Sequence, residues 1–222
     1  MTVTIIRHKR RKRAAFFVTA DGIELRIPAK LSNKVVESIL NEHEDWIEER
    51  LASLPVRDTL PENHLRLHGQ TFPLIRDVNE TRFRFTKDAF HCPFSWDESI
   101  LQSAYERWLR ERAIAYVAER ALLYEQQLGV EAKRIRIGHQ KTRWGSCSSA
   151  GTISINVRLM LAPPSIMDYV IAHEWTHLVH FNHSRAFWTT LATIYPDVEG
   201  AMQWLRQHGH TLTIKKTNRP VR

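Results

Sequence analysis

The stretch IAHEWTHLVHFNH at residues 171–183 constrains the fold of this chain more than any other. It contains the pattern H-E-x-x-H, in which His173 and His177 are four residues apart and Glu174 follows the first histidine. On a helix the two imidazoles share one face and can close on a single Zn²⁺, whereas Glu174 lies about 100° further round. A carboxylate in that place can take a proton from water without being a metal ligand. The stretch therefore predicts a helix that carries a zinc site, with Glu174 as the general base.

A zinc site of this kind needs a third protein ligand, and three residues are candidates. His180 shares the face of the other two histidines, but on a helix it lies about 7.5 Å along the axis from their midpoint. His183 reaches the metal if the helix stops near Phe181 and Asn182 turns the chain in a left-handed conformation. Glu199, on a later segment, is the alternative to His183. The spacing favours His173, His177 and His183 as the ligand set.

Three more groups of residues lie close to this motif: RWGSC at 143–147, NHS at 182–184 and FW at 187–188. Together with the H-E-x-x-H pattern they resemble the YgjP-like metallopeptidase family, distant relatives of the SprT and WLM zinc proteases. In that family three histidines bind zinc and the glutamate is the base. The resemblance thus implies the same roles for His173, His177, His183 and Glu174.

The residues around the motif supply further candidates. Arg143 is a candidate for stabilising negative charge that develops in the reaction, and its alternative is an ordinary surface ion pair. Phe187 and Trp188 are predicted to pack the helix that supports His183. An edge strand beside the metal helix could pair with an extended substrate, and both 152–156 and 143–146 are candidates for it.

The net charge of +8 is concentrated at the two ends of the chain. Residues 1–30 hold eight Lys or Arg against two acids, and residues 206–222 hold five against none. The densest run is RHKRRKR at 7–13, which is interpreted either as a phosphate-binding patch or as a solvated turn between two hairpin strands. No apolar run is long enough to span a membrane, and no signal sequence begins the chain, so a cytoplasmic protein is predicted.

The pattern of strands and helices predicts an α+β fold in three parts. Residues 1–93 form a β-rich module with one helix, which Ser32 caps and which runs to about Leu54. Residues 94–210 form a zincin-like catalytic domain with a long helix, a small sheet and the H-E-x-x-H helix, and residues 211–222 are a basic tail. Serines open both main helices in capping boxes, Ser95 with Glu98 and Ser165 with Asp168.

The resulting prediction for function is a Zn²⁺-dependent metallopeptidase that acts on a peptide or protein, without a membrane partner. Two alternatives stay open at this point. One is a zinc-dependent hydrolase of nucleotide phosphoanhydrides, because Zn²⁺ also polarises phosphoryl oxygens. The other is a DNA-associated protease of the SprT or WLM type, recruited through the basic termini, which are candidates for binding nucleotide or nucleic acid.

Overall fold

The computed structural model describes residues 3–19, 22–53, 60–140 and 142–214. The chain forms two compact units, residues 1–58 and 59–222. Both mix strands with helices, which confirms the α+β class. None of the described helices combines the length and apolar composition that crossing a membrane requires. The cytoplasmic location stays a prediction.

The first unit is a three-stranded sheet packed on two short helices. Its strands are β1 (Val3–His8), β2 (Ala15–Thr19) and β3 (Gly22–Pro28), and its helices are α1 (Asn33–Glu42) and α2 (Glu44–Ser53). Alternate residues of β3, namely Ile23, Leu25 and Ile27, are fully buried. Leu25 and Ile27 pack against Val36 of α1, so one face of the sheet is covered by the helix.

Two predictions for the first unit need correction. β3 is the central strand, parallel to β1 and antiparallel to β2, so β1 and β2 are not a hairpin and residues 9–14 connect the two outer strands. Ser32 caps α1 as predicted, but the helix ends at Glu42 and a second one begins at Glu44. The predicted helix end at Leu54 lies outside the described residues.

The second unit begins with a four-stranded sheet in the order β4-β5-β7-β6. These strands are β4 (His64–Leu67), β5 (Gln70–Asp77), β6 (Arg84–Phe85) and β7 (Phe90–Pro93). The predicted boundary at residue 93 would place them with the first unit. They belong instead to the second, because Leu67 and Phe90 are buried in its hydrophobic core, where Phe90 meets Tyr105 and Trp108 edge-on.

The long helix α3 (Glu98–Leu128) and the helix α4 (Pro164–Val179) pack on each other through this core. Neither begins at the predicted serine. Asp97 caps α3 by accepting hydrogen bonds from Ser99 N and Ile100 N, and α4 begins at Pro164 without a side-chain cap. Gly129 ends α3 in the left-handed conformation that glycine adopts readily at a helix end.

A second small sheet and two further helices complete the unit. The strands are β8 (Arg134–Gly138), β9 (Gly145–Cys147) and β10 (Thr152–Asn156), and the helices are α5 (Arg185–Ile194) and α6 (Val198–His208). β10 lies in the middle, parallel to β8 and antiparallel to β9. β9 is therefore an edge strand, and it packs beside α4. Of the predicted basic tail, only residues 211–214 are described.

Candidate metal and catalytic site

The three predicted histidines meet at the C-terminal end of α4. His173 and His177 project from the helix, and His183 lies in the turn between α4 and α5. One ring nitrogen from each lies within 4.8 Å of the others, so the group could hold a metal ion. Nε2 of His183 is 3.1 Å from Nε2 of His173. That separation is close to the about 3.3 Å that joins two nitrogens on one tetrahedral zinc with bonds of about 2.05 Å.

The turn that brings His183 to the other histidines differs from the predicted one. α4 ends at Val179, and His180 leaves it in an extended conformation, with φ of −130°. Among the described residues only Asn63 and His68 have positive φ without being glycine, so Asn182 is not left-handed. Ser184 then begins α5 as an N-cap, accepting from Phe187 N at 3.4 Å. The extended His180 and this cap together reverse the chain within a few residues.

Hydrogen bonds around the cluster leave the inward nitrogens available. His177 Nδ1 lies 3.0 Å from the carbonyl oxygen of His180. A carbonyl only accepts, so Nδ1 carries the hydrogen and Nε2 carries the lone pair that a metal needs. Nε2 of His180 lies 3.1 Å from Thr190 Oγ1, so this histidine hydrogen-bonds outside the cluster and is not one of the converging ligands. His173 Nδ1 is buried without a hydrogen-bond partner among the described groups, so Nε2, beside His183, is its only ring nitrogen with a polar neighbour.

Two aromatic residues of α5 fix the three imidazoles. The ring of Phe187 is fully buried, and its centre lies between 4.6 and 4.9 Å from the centres of all three histidine rings. Trp188 Nε1 donates to the carbonyl oxygen of His183 at 3.1 Å. Phe187 lies in the hydrophobic core and Trp188 packs against it, which confirms the prediction that these two residues pack the helix after His183. Phe187 does more than the sequence suggested, because it contacts every member of the cluster.

Burial alters the acid–base properties of the cluster. It lowers the pKa of His173 to about 4, helped by the neighbouring His177 and His183, and it also lowers the pKa of His177. Both effects favour the neutral imidazole, which is the form that binds metals. Burial raises the pKa of Glu174, which is only 5 % exposed, to about 8. A carboxyl group with its pKa near neutrality is suited to accept and return a proton.

Glu174 lies against the edge strand β9. A Cβ atom added to Gly145 would lie 2.4 Å from Glu174 Oε1 and 2.6 Å from its Cγ. No side chain fits there, so the glycine of the RWGSC segment is what lets the carboxylate approach the strand. The sequence singled out this segment without assigning a role to the glycine. Its signal was a lone glycine in a strand, which often marks a close approach.

The segment before β9 is held by buried polar groups. Asn156, fully buried at the end of β10, donates from Nδ2 to the carbonyl oxygens of Gln140 and Arg143 at 2.7 and 2.8 Å. Arg158 donates to the same Gln140 oxygen at 2.8 Å, and its guanidinium lies 4.6 Å from the ring centre of Trp144. These contacts position the backbone that leads into Gly145. Sequence reasoning did not identify Asn156, because a strand-end asparagine carries no distinctive pattern.

Arg143 and Glu199, two other candidates, are both exposed. The structure brings the Arg143 backbone to Asn156, but it shows no ion pair or hydrogen bond of the Arg143 side chain with a described residue. Its catalytic role stays a prediction. Glu199 lies in the first turn of α6 and is not a member of the metal-binding group, which among the described residues consists of the three histidines.

A comparison with known protein families finds a match over most of the chain. A family described as YgjP-like, metallopeptidase domain, matches residues 12–208, a range that contains the three histidines, Glu174 and Arg143. Among solved structures, the chain is similar to the metallopeptidase zymogen of Pyrococcus abyssi abylysin. The two share 24% identity over 43% of this chain and 94% of that one, with a TM-score of 0.38. No curated protein matches the chain.

Proposed function

Since the chain belongs to the YgjP-like metallopeptidase family, we propose that it hydrolyses peptide bonds with a zinc ion held by His173, His177 and His183. The observation that carries the proposal is the convergence of three imidazoles at a helix whose buried Glu174 lies against an edge strand. Three neutral imidazoles are the donor set of several catalytic zinc sites. Such a site differs from a structural one in leaving a position for substrate or water.

The residues of the chain divide the chemistry among them. A bound Zn²⁺ would polarise the scissile carbonyl, lower the pKa of water and, as a positive charge, favour the ionised form of Glu174. Glu174 accepts a proton from the attacking water and passes it to the leaving nitrogen. Phe187 and the bond from His177 to the His180 carbonyl keep the imidazoles oriented.

β9 is the element that would hold a peptide substrate. β10 occupies one side of this strand, and no described strand pairs with the other. An extended peptide can add to such an edge through main-chain hydrogen bonds. The other predicted candidate, Thr152–Asn156, is β10 itself and has neighbours on both sides, so it cannot serve. Pairing along β9 would bring a scissile bond next to Glu174, because Gly145 contacts that side chain.

The decisive test compares wild type with Glu174→Gln on casein, a fluorogenic peptide panel and nucleoside triphosphates. We expect wild type with stoichiometric zinc to cleave peptides, and Glu174→Gln to keep its zinc and lose at least about 10²-fold in kcat. Glu199→Gln is the matched control, an exposed carboxylate changed in the same way, and should retain full activity. Turnover of nucleotides alone, or full peptide turnover by Glu174→Gln, would contradict the proposal.

Arg143 separates the two chemistries further. Its planar guanidinium would bind a phosphate in both the ground state and the transition state, but would help a peptide mainly when the oxyanion forms. Arg143→Lys should therefore chiefly lower kcat if the substrate is a peptide, and chiefly raise KM if it is a nucleotide. Arg134→Ala, an exposed arginine on β8, is the control. Wild-type constants in Arg143→Lys and Arg143→Ala would show an ordinary surface arginine.

A further inference from the structure

The N-terminal sheet has one covered face and one open face. Ile23, Leu25 and Ile27 of its central strand point to the helices and are fully buried, while Glu24 and Arg26 between them are only partly covered. On the outer strands, the residues paired with these two point to the same side; they are Thr4, Ile6, Ala15 and Phe17. An apolar residue as large as Phe17, 36% exposed, on this open face has no role in the core.

Phe17 lies in a stack with two arginines. The Arg26 guanidinium carbon is 4.4 Å from the centre of the Phe17 ring, and that of Arg11 is 5.0 Å away. Arg26 is held there by Glu24, whose Oε2 accepts from Arg26 Nε at 2.9 Å. Arg11 is held by its own turn, donating from Nε to the carbonyl oxygen of Arg13 at 2.9 Å. An aromatic ring and guanidinium planes are the two surfaces on which unpaired bases stack.

The connection between β1 and β2 adds positive charge beside this stack. Residues 9–13 are Lys, Arg, Arg, Lys and Arg in unbroken succession. Among the described residues, no carboxylate pairs with the side chain of Lys9, Arg10, Lys12 or Arg13. Arg7 differs, because it is used internally and donates to the carbonyl oxygen of Leu31 and to Asn33 Oδ1. The open cations of the run thus begin after β1 ends.

We propose that residues 9–13, Phe17 and Arg26, together the N-terminal basic face, bind single-stranded nucleic acid. The cations contact phosphates, and bases stack on the Phe17–arginine group. Charge alone would suit any polyanion, but a partly exposed ring next to guanidiniums favours a ligand with flat aromatic groups. A duplex keeps the faces of its bases stacked inside the helix, and an acidic peptide has no bases to offer. Single strands are therefore the class that uses every part of this surface.

The binding test uses the full chain and a fluorescein-labelled, mixed-sequence 12-nucleotide DNA strand, followed by anisotropy. Wild type should bind the strand more tightly than the same sequence as a duplex. With about three phosphates neutralised, raising the salt from about 50 to about 200 mM should weaken binding at least about tenfold. Inorganic polyphosphate and poly-glutamate serve as competitors that carry charge without bases.

Two variants divide the stacking and charge contributions. Phe17→Leu keeps an apolar strand residue and removes the ring; it should weaken oligonucleotide binding about fivefold or more and leave polyphosphate binding unchanged. Lys9→Ser with Arg10→Ser should weaken binding of both and reduce the salt dependence. The matched control, Arg82→Ser with Lys87→Ser, removes the same charge from two exposed residues of the second unit. It should change neither oligonucleotide binding nor polyphosphate binding.

Several results would overturn the proposal. Equal affinity for duplex and single strand, or displacement by poly-glutamate as effective as by unlabelled oligonucleotide, would show a general polyanion surface. An unchanged affinity of Phe17→Leu, with an unchanged melting temperature, would remove the stacking role. A loss in the Arg82 and Lys87 control equal to that in the Lys9 and Arg10 variant would place binding elsewhere.

Discussion

The histidine cluster of the second unit and the basic face of the first both gather ionisable side chains, but over different distances along the chain. The histidines lie on α4 and the turn after it, and their neighbour Glu174 contacts β9, which is distant in sequence. Glu174 is buried, His173 and His177 are partly buried, and His183 is exposed. The basic face is mostly one uninterrupted run of cations that remain in water. Burial makes the first region sensitive to single atoms, because buried groups depend on fixed neighbours. Exposure makes the second region tolerant of single substitutions, since each exposed cation contributes little to stability on its own.

The largest effect is expected from removing a metal ligand. His183→Ala should lose tightly held zinc and all measurable peptide turnover, because two imidazoles remain where three converge. The fall in zinc affinity should exceed the about 10- to 100-fold that follows loss of an outer hydrogen bond. Metal content after dialysis, measured by mass spectrometry, checks it. Glu199→Ala should keep a full equivalent, and the opposite pattern would make Glu199 the third ligand.

A single added methyl group should give the next largest effect. Gly145→Ala places a Cβ 2.4 Å from Glu174 Oε1, so the carboxylate must move. Misplacement by about 1 Å lowers turnover by about 10²-fold. We expect a fall in kcat of about 10- to 100-fold with zinc retained. Ser146→Ala, on the same strand without added volume, should behave as wild type; equal activity of the two variants would show that the contact does not matter.

A smaller effect should come from the polar contact that joins the two long helices. Tyr116 of α3 donates to Asp168 Oδ1 of α4 at 2.8 Å, and burial raises the pKa of Tyr116 to about 12. Tyr116→Phe should lower the free energy of unfolding by about 1–2 kcal/mol, or about 2–8 °C in melting temperature. Tyr124→Phe removes a longer bond of 3.4 Å to the Asp168 carbonyl and should cost less. A larger loss of stability in Tyr124→Phe than in Tyr116→Phe would show that packing, and not the hydrogen bond to Asp168, provides the stabilisation.

The smallest effect is expected from the exposed cations. Lys9→Ser with Arg10→Ser should leave peptide kcat/KM and the melting temperature within error, because neither side chain has an acidic partner among the described residues. Surface changes of this kind usually alter stability by less than about 0.5 kcal/mol. Steady-state kinetics and thermal melting check it. A drop in turnover on a short neutral peptide would show that the two regions act together.

Caps and turns illustrate how local patterns succeed and fail. Ser32 caps its helix as predicted, since a cap needs only neighbouring backbone, and Ser184 and Gly129 end or begin helices in the same local way. Two S-x-x-acid boxes were wrong. At one, Asp97 offers a charged acceptor closer to the helix start; at the other, Pro164 begins α4. Asp168 then turns toward Tyr116 and Arg120 of α3 instead of its own helix end. At Asp168, the partners on α3 therefore outcompeted the local cap of α4.

Strand order shows the same limit on a larger scale. The sequence predicted a β-rich module at residues 1–93, but it carried no information on which of β1, β2 and β3 lies in the middle. Likewise the residues 64–93 read as part of the N-terminal module, although Leu67 and Phe90 are buried in the core of the second unit. An alternating apolar pattern along a strand indicates that one face is covered, but it does not indicate which element covers it.

The sequence by itself identified His173, His177 and Glu174 as candidates, because helical periodicity sets their spacing, and it offered His183 within the same stretch of 11 residues. It also showed that the positive charge is concentrated at the two ends of the chain, since this needs only the order of the residues. Only the tertiary structure decided that Gly145 leaves room for Glu174, that Phe187 contacts all three imidazoles, and that two arginines lie close to the Phe17 ring on an open face. Each of these depends on atoms from separate elements packed at contact distance, and such packing has no counterpart in the spacing of residues along the chain.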